Sequence, residues 1–251
     1  MGELHFDSNS FYRRQIVLPE LGTEGQNKLR KAKAAIVGLG GLGTVSATYL
    51  ARSGVGHLRL IDQDRIEIHN LHRQILYEFG DLHCLKAEKA AEKLSHSNPE
   101  IQVESINERL MESNVDNRIK DVDIVLDGLD NMASRYILNR ACHRHGIPYI
   151  FGGVTALEGN VSILHPPNTP CLECMMPSQE YSSPKSCVSG ILGATAGIVG
   201  AIQAMEAIKA LADVKTDLRG KLLVCDFRTM EFEKIDIFRN EECDVCGIKS
   251  L

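Results

Sequence analysis

The chain has 251 residues, 43% of them hydrophobic, enough to bury one large core and too apolar for a disordered polypeptide. Its formal net charge is -5, with acidic and basic residues interspersed, so it carries no basic stripe for a nucleic-acid backbone and nucleic acid is not an expected partner. The start lacks the basic flank and apolar stretch of a secretory signal, and the most apolar run, 188–202, is shorter than the ~20 residues of a bilayer span, so a cytoplasmic protein without a membrane anchor is expected.

In chain order, residues 8–31 are polar with scattered apolar positions and predict one or two leading helices. The run 34–39 then ends in glycines, and 44–52 has helical apolar spacing, which predicts a strand, a tight turn and a helix. Residues 57–62 read as the second strand of the same βαβ unit. The alternation continues through helix 86–96, strand 101–106, helix 112–119, strand 122–127, helix 131–145 and strand 148–152. That rhythm predicts an α/β fold, a Rossmann-like, doubly wound and mostly parallel sheet with helices on both faces.

After Gly152 the rhythm breaks. A strand at 159–165, a Pro/Ser-rich excursion at 167–190, a long Ala/Gly-rich helix at 191–212 and strands at 220–226 and 231–238 complete the pattern. With no repeat and no Gly/Ser linker, residues 1–251 are expected to form one domain: leading helices 8–31, a nucleotide-binding part 32–152, and a C-terminal part 153–251 with a crossover loop near 175–190.

The turn Gly38-Leu39-Gly40-Gly41-Leu42-Gly43 lies where missing Cβ atoms and a helix N-terminus let a backbone approach phosphate. Asp62, 24 residues after Gly38, stands at a strand end suited to ribose hydroxyls. These features fit a nicotinamide dinucleotide as well as ATP. The polar and cationic residues further along the chain separate the two ligands: Asn70, Arg73 and Gln74 in an irregular stretch, and Lys86 opening the next helix, supply the cations that a triphosphate losing pyrophosphate needs. Asp130, at another strand's C-terminal edge, is the candidate Mg²⁺ ligand; Asp127, in a turn-like Asp-Gly pair, is a weaker one.

Four of the eight cysteines form two Cys-x-x-Cys knuckles, Cys171/Cys174 and Cys243/Cys246. Four thiolates with no open position predict a structural, tetrahedral Zn²⁺ site rather than disulfides. Cys84, Cys142 and Cys225 read as packing residues, whereas Cys187, in a polar loop beside Lys185, is a candidate nucleophile. The nine histidines show no ligand spacing.

From Phe11 to Gly247 the chain resembles the MoeB/ThiF adenylyltransferases of bacteria and archaea, relatives of ubiquitin-activating enzymes. The resemblance rests on Tyr12-Arg13-Arg14-Gln15-Ile16, Gly25-Gln26, Ile36 to Gly43, Asp62-x-Asp64, Asn70-Leu71-x-Arg73-Gln74, Lys86, Asp127-x-x-Asp130-Asn131, the knuckles and Cys187. It implies that Gly38, Gly40, Gly41, Gly43, Asp62, Asp64, Asn70, Arg73, Gln74, Lys86, Asp130 and Asn131 hold ATP, with Asp130 tied to Mg²⁺. It also implies that Arg14 reaches the triphosphate from a partner subunit of a homodimer. The implied substrate is a ubiquitin-like sulfur-carrier protein ending in Gly-Gly, for molybdopterin, thiamine or related sulfur transfer, with sulfur from a separate donor protein. An oxidoreductase using NAD and a nucleotide-sensing scaffold without turnover are the alternatives.

Overall fold

The structure, a computed structural model, describes residues 6–178 and 190–247. Helices α1 (Ser8–Ile16) and α2 (Gly22–Lys31) precede strand β1 (Lys33–Val37). There follow α3 (Gly41–Arg52), β2 (His57–Ile61), α4 (Lys86–Ser97), β3 (Gln102–Ile106), α5 (Val115–Ile119), β4 (Ile124–Asp127), α6 (Met132–His145) and β5 (Tyr149–Thr155). The chain continues through β6 (Glu158–Leu164), α7 (Leu172–Met175), α8 (Gly193–Leu211), β7 (Lys221–Asp226) and β8 (Glu231–Asp236).

One eight-stranded sheet has the order β3-β2-β1-β4-β5-β6-β7-β8. Strands β1 to β5 pair in parallel, and β6 to β8 extend the sheet by antiparallel pairing. Central β1 is buried on both faces after its first residue, which is why it reads as an uninterrupted apolar run. Its side chains alternate between two cores. Ala34 and Ile36 pack with Leu50, Leu58, Leu126 and Val199, on the face covered by α3, α4 and α8, whereas Ala35 and Val37 pack with Val125, Tyr136 and Phe151 under α5 and α6. The mostly parallel, doubly wound sheet expected from the sequence is therefore present, and its order reverses between β1 and β4, where open α/β sheets form a ligand crevice.

Helix α8 is long and apolar enough by composition to cross a bilayer, but its small residues lie on α3 and the sheet. Gly200 shows how close: a Cβ there would stand 2.6 Å from the Leu42 carbonyl oxygen. Helix α6 starts on Asn131, whose side chain accepts from Ser134 N–H, and ends on Gly146 in the left-handed region.

Three local expectations differ. The helix expected over 112–119 begins only at Val115, because the Asn114 side chain accepts from Met111 N–H and donates to the Arg109 carbonyl, binding the preceding turn instead. The excursion after β6 contains the short helix α7, with Cys171 as its N-cap residue. Two single turns of 3₁₀ helix, Ile68–Asn70 and Phe79–Asp81, interrupt the segment between β2 and α4.

Candidate active site

A cleft of about 1090 Å³ opens at the carboxyl ends of β1, β2 and β4. Its floor is the glycine turn. Gly38 adopts φ +90°, and a Cβ there would lie 2.5 Å from the Gly128 carbonyl oxygen, so the turn after β1 touches the turn after β4. Gly40, Gly41 and Leu42 line the cleft at the N-terminus of α3, whose free N–H groups and dipole favour an anion. Gly43 does not line it. A Cβ at Gly43 would stand 1.9 Å from the Gly38 carbonyl oxygen, so this glycine is required for helix and strand to meet rather than for ligand approach.

Asp62 continues β2 into the cleft. Its Oδ2 accepts from Leu39 N–H at 2.7 Å and its Oδ1 from Asp64 N–H at 2.8 Å, so it clamps the glycine turn while facing the cavity. Burial pushes its carboxyl up; the charge of Lys86 and the two backbone N–H groups pull the other way. Lys86 is buried at the start of α4 and its Nζ lies 2.9 Å from Asp64 Oδ2. Asn70 is fixed by its own turn, its Oδ1 accepting from Glu67 N–H at 3.1 Å. Arg73 donates from Nη1 to the His69 carbonyl at 2.8 Å, beside the buried Gln74.

On the opposite wall, Asp130 and Asn131 stand exposed, with Asn131 Nδ2 donating to Asp130 Oδ1 at 3.1 Å. Of the residues expected at the nucleotide, the structure gathers Gly38, Gly40, Gly41, Asp62, Asp64, Asn70, Arg73, Gln74, Lys86, Asp130 and Asn131 around this one cavity. Arg14 is exposed on α1 and does not line it. Cys187 lies outside the described residues. Asp127 is fully buried, paired to Arg135 Nε at 3.0 Å and to the Tyr149 hydroxyl at 2.7 Å, so it is a structural carboxylate and not a free ligand.

Sequence reasoning missed Arg109, Arg135 and Thr155, which also line the cleft. For Arg135 a signal existed: a cation in the first turn of α6 opposes the helix dipole and calls for a local reason.

Far along the chain, the Sγ atoms of Cys171, Cys174, Cys243 and Cys246 lie within 4.8 Å of one another. Neighbouring Sγ pairs stand at 3.4, 3.6 and 3.9 Å. A tetrahedral metal with ~2.3 Å bonds to sulfur requires S···S separations of about 3.8 Å, so the four thiols fit such an ion, zinc included. Burial pushes the Cys171 and Cys246 thiols up, whereas that of Cys174, against its own desolvation, is brought down by hydrogen bonds from the Asn240 and Cys171 backbone and from neighbouring thiols; four sulfurs this close call for a cation once ionised. The first knuckle is helical, with Cys171 as the N-cap residue of α7 and Cys174 within it. Cys142 and Cys225 are buried and Cys84 partly so, in keeping with packing roles.

The ThiF family profile matches residues 12–245. The chain belongs to the ThiF family. Its relatives include the SAMP-activating enzyme E1 of Haloferax volcanii, 39% identical over 238 residues, 94% of this chain and 88% of that protein. The molybdopterin-synthase adenylyltransferase of Salmonella typhimurium is 36% identical over 248 residues, 98% of this chain and 100% of that protein. The sulfur carrier protein ThiS adenylyltransferase of Escherichia coli is 35% identical over 237 residues, 94% of each chain. Among solved structures, E. coli MccB with ATP superposes with a TM-score of 0.85 at 26% identity, over 96% of this ThiF-family chain and 75% of MccB.

Proposed function

We propose that this ThiF-family chain binds ATP in the cleft and activates the C-terminal glycine carboxylate of a ubiquitin-like sulfur carrier as an acyl-adenylate, releasing pyrophosphate. The observation that carries the reading is the convergence of the glycine turn, Arg73, Lys86 and Asp130 on one cavity in a chain whose full-length relatives bear adenylyltransferase names. The carrier's carboxylate is already ionised and needs no general base. It attacks the α-phosphorus in line, and the P–O bond to pyrophosphate breaks. Catalysis then reduces to positioning and charge neutralisation.

The α3 N-terminus and Arg73 receive the phosphates, Asp62 faces the ribose, and Lys86, steadied by Asp64, offers its charge to the reacting group. Asp130 fits Mg²⁺, since its carboxylate borders the cleft with the neutral amide of Asn131, not a cation, as its hydrogen-bond donor, and Mg²⁺ binds through one or two carboxylates plus phosphates. The ion would supply positive charge to the polyphosphate. Arg14 belongs in the same reading as a cation delivered by the second subunit of a homodimer. The four thiols hold structural Zn²⁺ that ties α7 to the chain's last turns. Cys187 is the candidate for capture: its thiolate attacks the adenylate carbonyl, giving a thioester and AMP. Residues 1–251 act as one adenylation domain, in a cytoplasm that supplies ATP, reduced thiols and a separate sulfur donor.

ATP-pyrophosphate exchange with and without a carrier ending in Gly-Gly tests the reading. Carrier-dependent exchange is the expected result. Nicotinamide dinucleotide binding without exchange would replace it with an oxidoreductase, and ATP binding without exchange with a sensing role.

A further inference from the structure

Beneath the turn that carries Asp130 lies a buried set of three side chains that the proposed chemistry does not use. Asp127 is fully buried, and the Arg135 side chain is 12% exposed. Asp127 Oδ1 accepts from Leu129 N–H at 2.8 Å, and its Oδ2 accepts from the Tyr149 hydroxyl at 2.7 Å. Arg135 Nε completes an ion pair with the same Oδ2, while Nη2 donates to the carbonyls of Leu129 at 2.7 Å and Gly152 at 2.8 Å. The guanidinium also lies 5.3 Å from the centre of the Phe151 ring. Both backbone polar groups of Leu129, the residue before Asp130, are thus held by side chains. On the far side, Asn131 is anchored as the cap of α6.

Although Arg135 borders the cleft, its charge is already committed. A carboxylate as buried as Asp127 is stable only beside a compensating cation, and the planar fork of arginine sets its charge against that carboxylate while donating to two carbonyls from one place. We propose that Arg135, with Asp127 and Tyr149, is a positioning residue that fixes the turn 128–131 so that Asp130 faces the metal-bound phosphates, and is not itself a phosphate ligand. The inference rests on the reading of Asp130 as the Mg²⁺-nucleotide ligand.

Arg135→Lys retains the charge beside Asp127 but cannot reach both carbonyls at once. With Mg²⁺ and ATP as the probes in titration calorimetry, the variant is expected to need roughly tenfold more Mg²⁺ for half-saturation, with ATP affinity in EDTA unchanged. Combined with Asp130→Asn, it adds no further loss, because both act through one group. Tyr149→Phe removes a single hydrogen bond and shifts the Mg²⁺ requirement in the same direction by less, so it carries the test should Arg135→Lys fail to fold. Weaker ATP binding by Arg135→Lys in EDTA would make Arg135 a direct ligand and overturn the proposal. So would multiplying effects of Arg135→Lys and Asp130→Asn, or an unchanged Mg²⁺ requirement in a folded Tyr149→Phe protein. Binding needs no carrier and no turnover; absent exchange with the Mg²⁺ shift intact would sink the adenylation reading and leave the positioning role standing.

Discussion

At the amino ends of the parallel strands, charge is paired off. Arg59 Nε, from the middle of β2, meets Glu104 of β3 at 2.6 Å while its guanidinium reaches Asp121 ahead of β4, Lys33 N–H donates to Asp123 at 2.8 Å, and Lys33 Nζ lies 3.8 Å from Asp121. At the carboxyl ends the balance is different: Asp62 is held there against its own desolvation, Asp130 has no cation partner among the described residues, and an open helix N-terminus faces the same cavity. Residues of the same types serve stability at one end and wait for a ligand at the other. Sites that retain unbalanced charge on a rigid frame are where ligands supply the missing partner.

The sharpest way to break that comparison is to remove an uncompensated charge. Asp130→Ala or Arg73→Ala should lower pyrophosphate exchange by about 10²–10³-fold, the scale of a lost electrostatic contact to a transition state, while the melting temperature stays put. Melting curves and exchange assays on the same preparations decide it. An unfolded Asp130→Ala protein would move the residue to the structural side.

A second test concerns the thiol cluster, where the partner that four close sulfurs call for is a metal ion rather than a side chain. Cys174→Ser should release one equivalent of metal and destabilise the fold by about 4 kcal/mol or more, because the ion contributes folding energy directly. Metal analysis with thermal unfolding, with and without chelator, measures it. Melting indifferent to chelation would remove the structural metal. Gly43→Ala comes next: its Cβ would collide with the Gly38 carbonyl, costing about 3 kcal/mol in stability before any loss of ligand is considered.

The contrast also explains what the sequence could reveal. The strands, helices and glycine turn follow from local periodicity; the place of Asp62 and Asp130 at the cleft was legible because strand C-termini are where a doubly wound sheet gathers ligands, and that of Lys86 from a cation opening the helix after β2. Both knuckles were legible from spacing, though their meeting joins residues 72 positions apart. Arg135 was not. Its partners are the buried Asp127 and the carbonyls of Leu129 and Gly152, and no local pattern announces which backbone carbonyls will face one another across two strands. The close packing at Gly43 was hidden for a related reason: a glycine fingerprint does not distinguish the glycine that admits a phosphate from the one that admits a helix.

The smallest effect separates the two ends by sign. Hydrogen bonds from Arg59 hold the Asp121 carboxyl below the usual aspartate range, against a desolvation that raises it. A carboxyl lowered in the folded state contributes stability in full above its unfolded value, ~3.9, and loses it as pH falls through the lower folded value. The melting difference between wild type and Asp121→Asn should therefore be flat from neutral pH to about 5 and shrink below it; at 45% exposure its size is about 1 kcal/mol or less, because solvent screens the pair. Asp62 runs the other way. Burial raises its folded value above the unfolded one, so the ionised carboxyl costs stability at neutral pH, and that cost is relieved as pH falls through the raised value. Wild type should thus gain on Asp62→Asn first, as pH falls through the raised value toward the unfolded ~3.9, and lose its advantage over Asp121→Asn only on further acidification through the lowered one. Parallel curves for the two variants would mean that the cleft end carries no stored electrostatic cost, and that its charges are as well paired as those at the closed end.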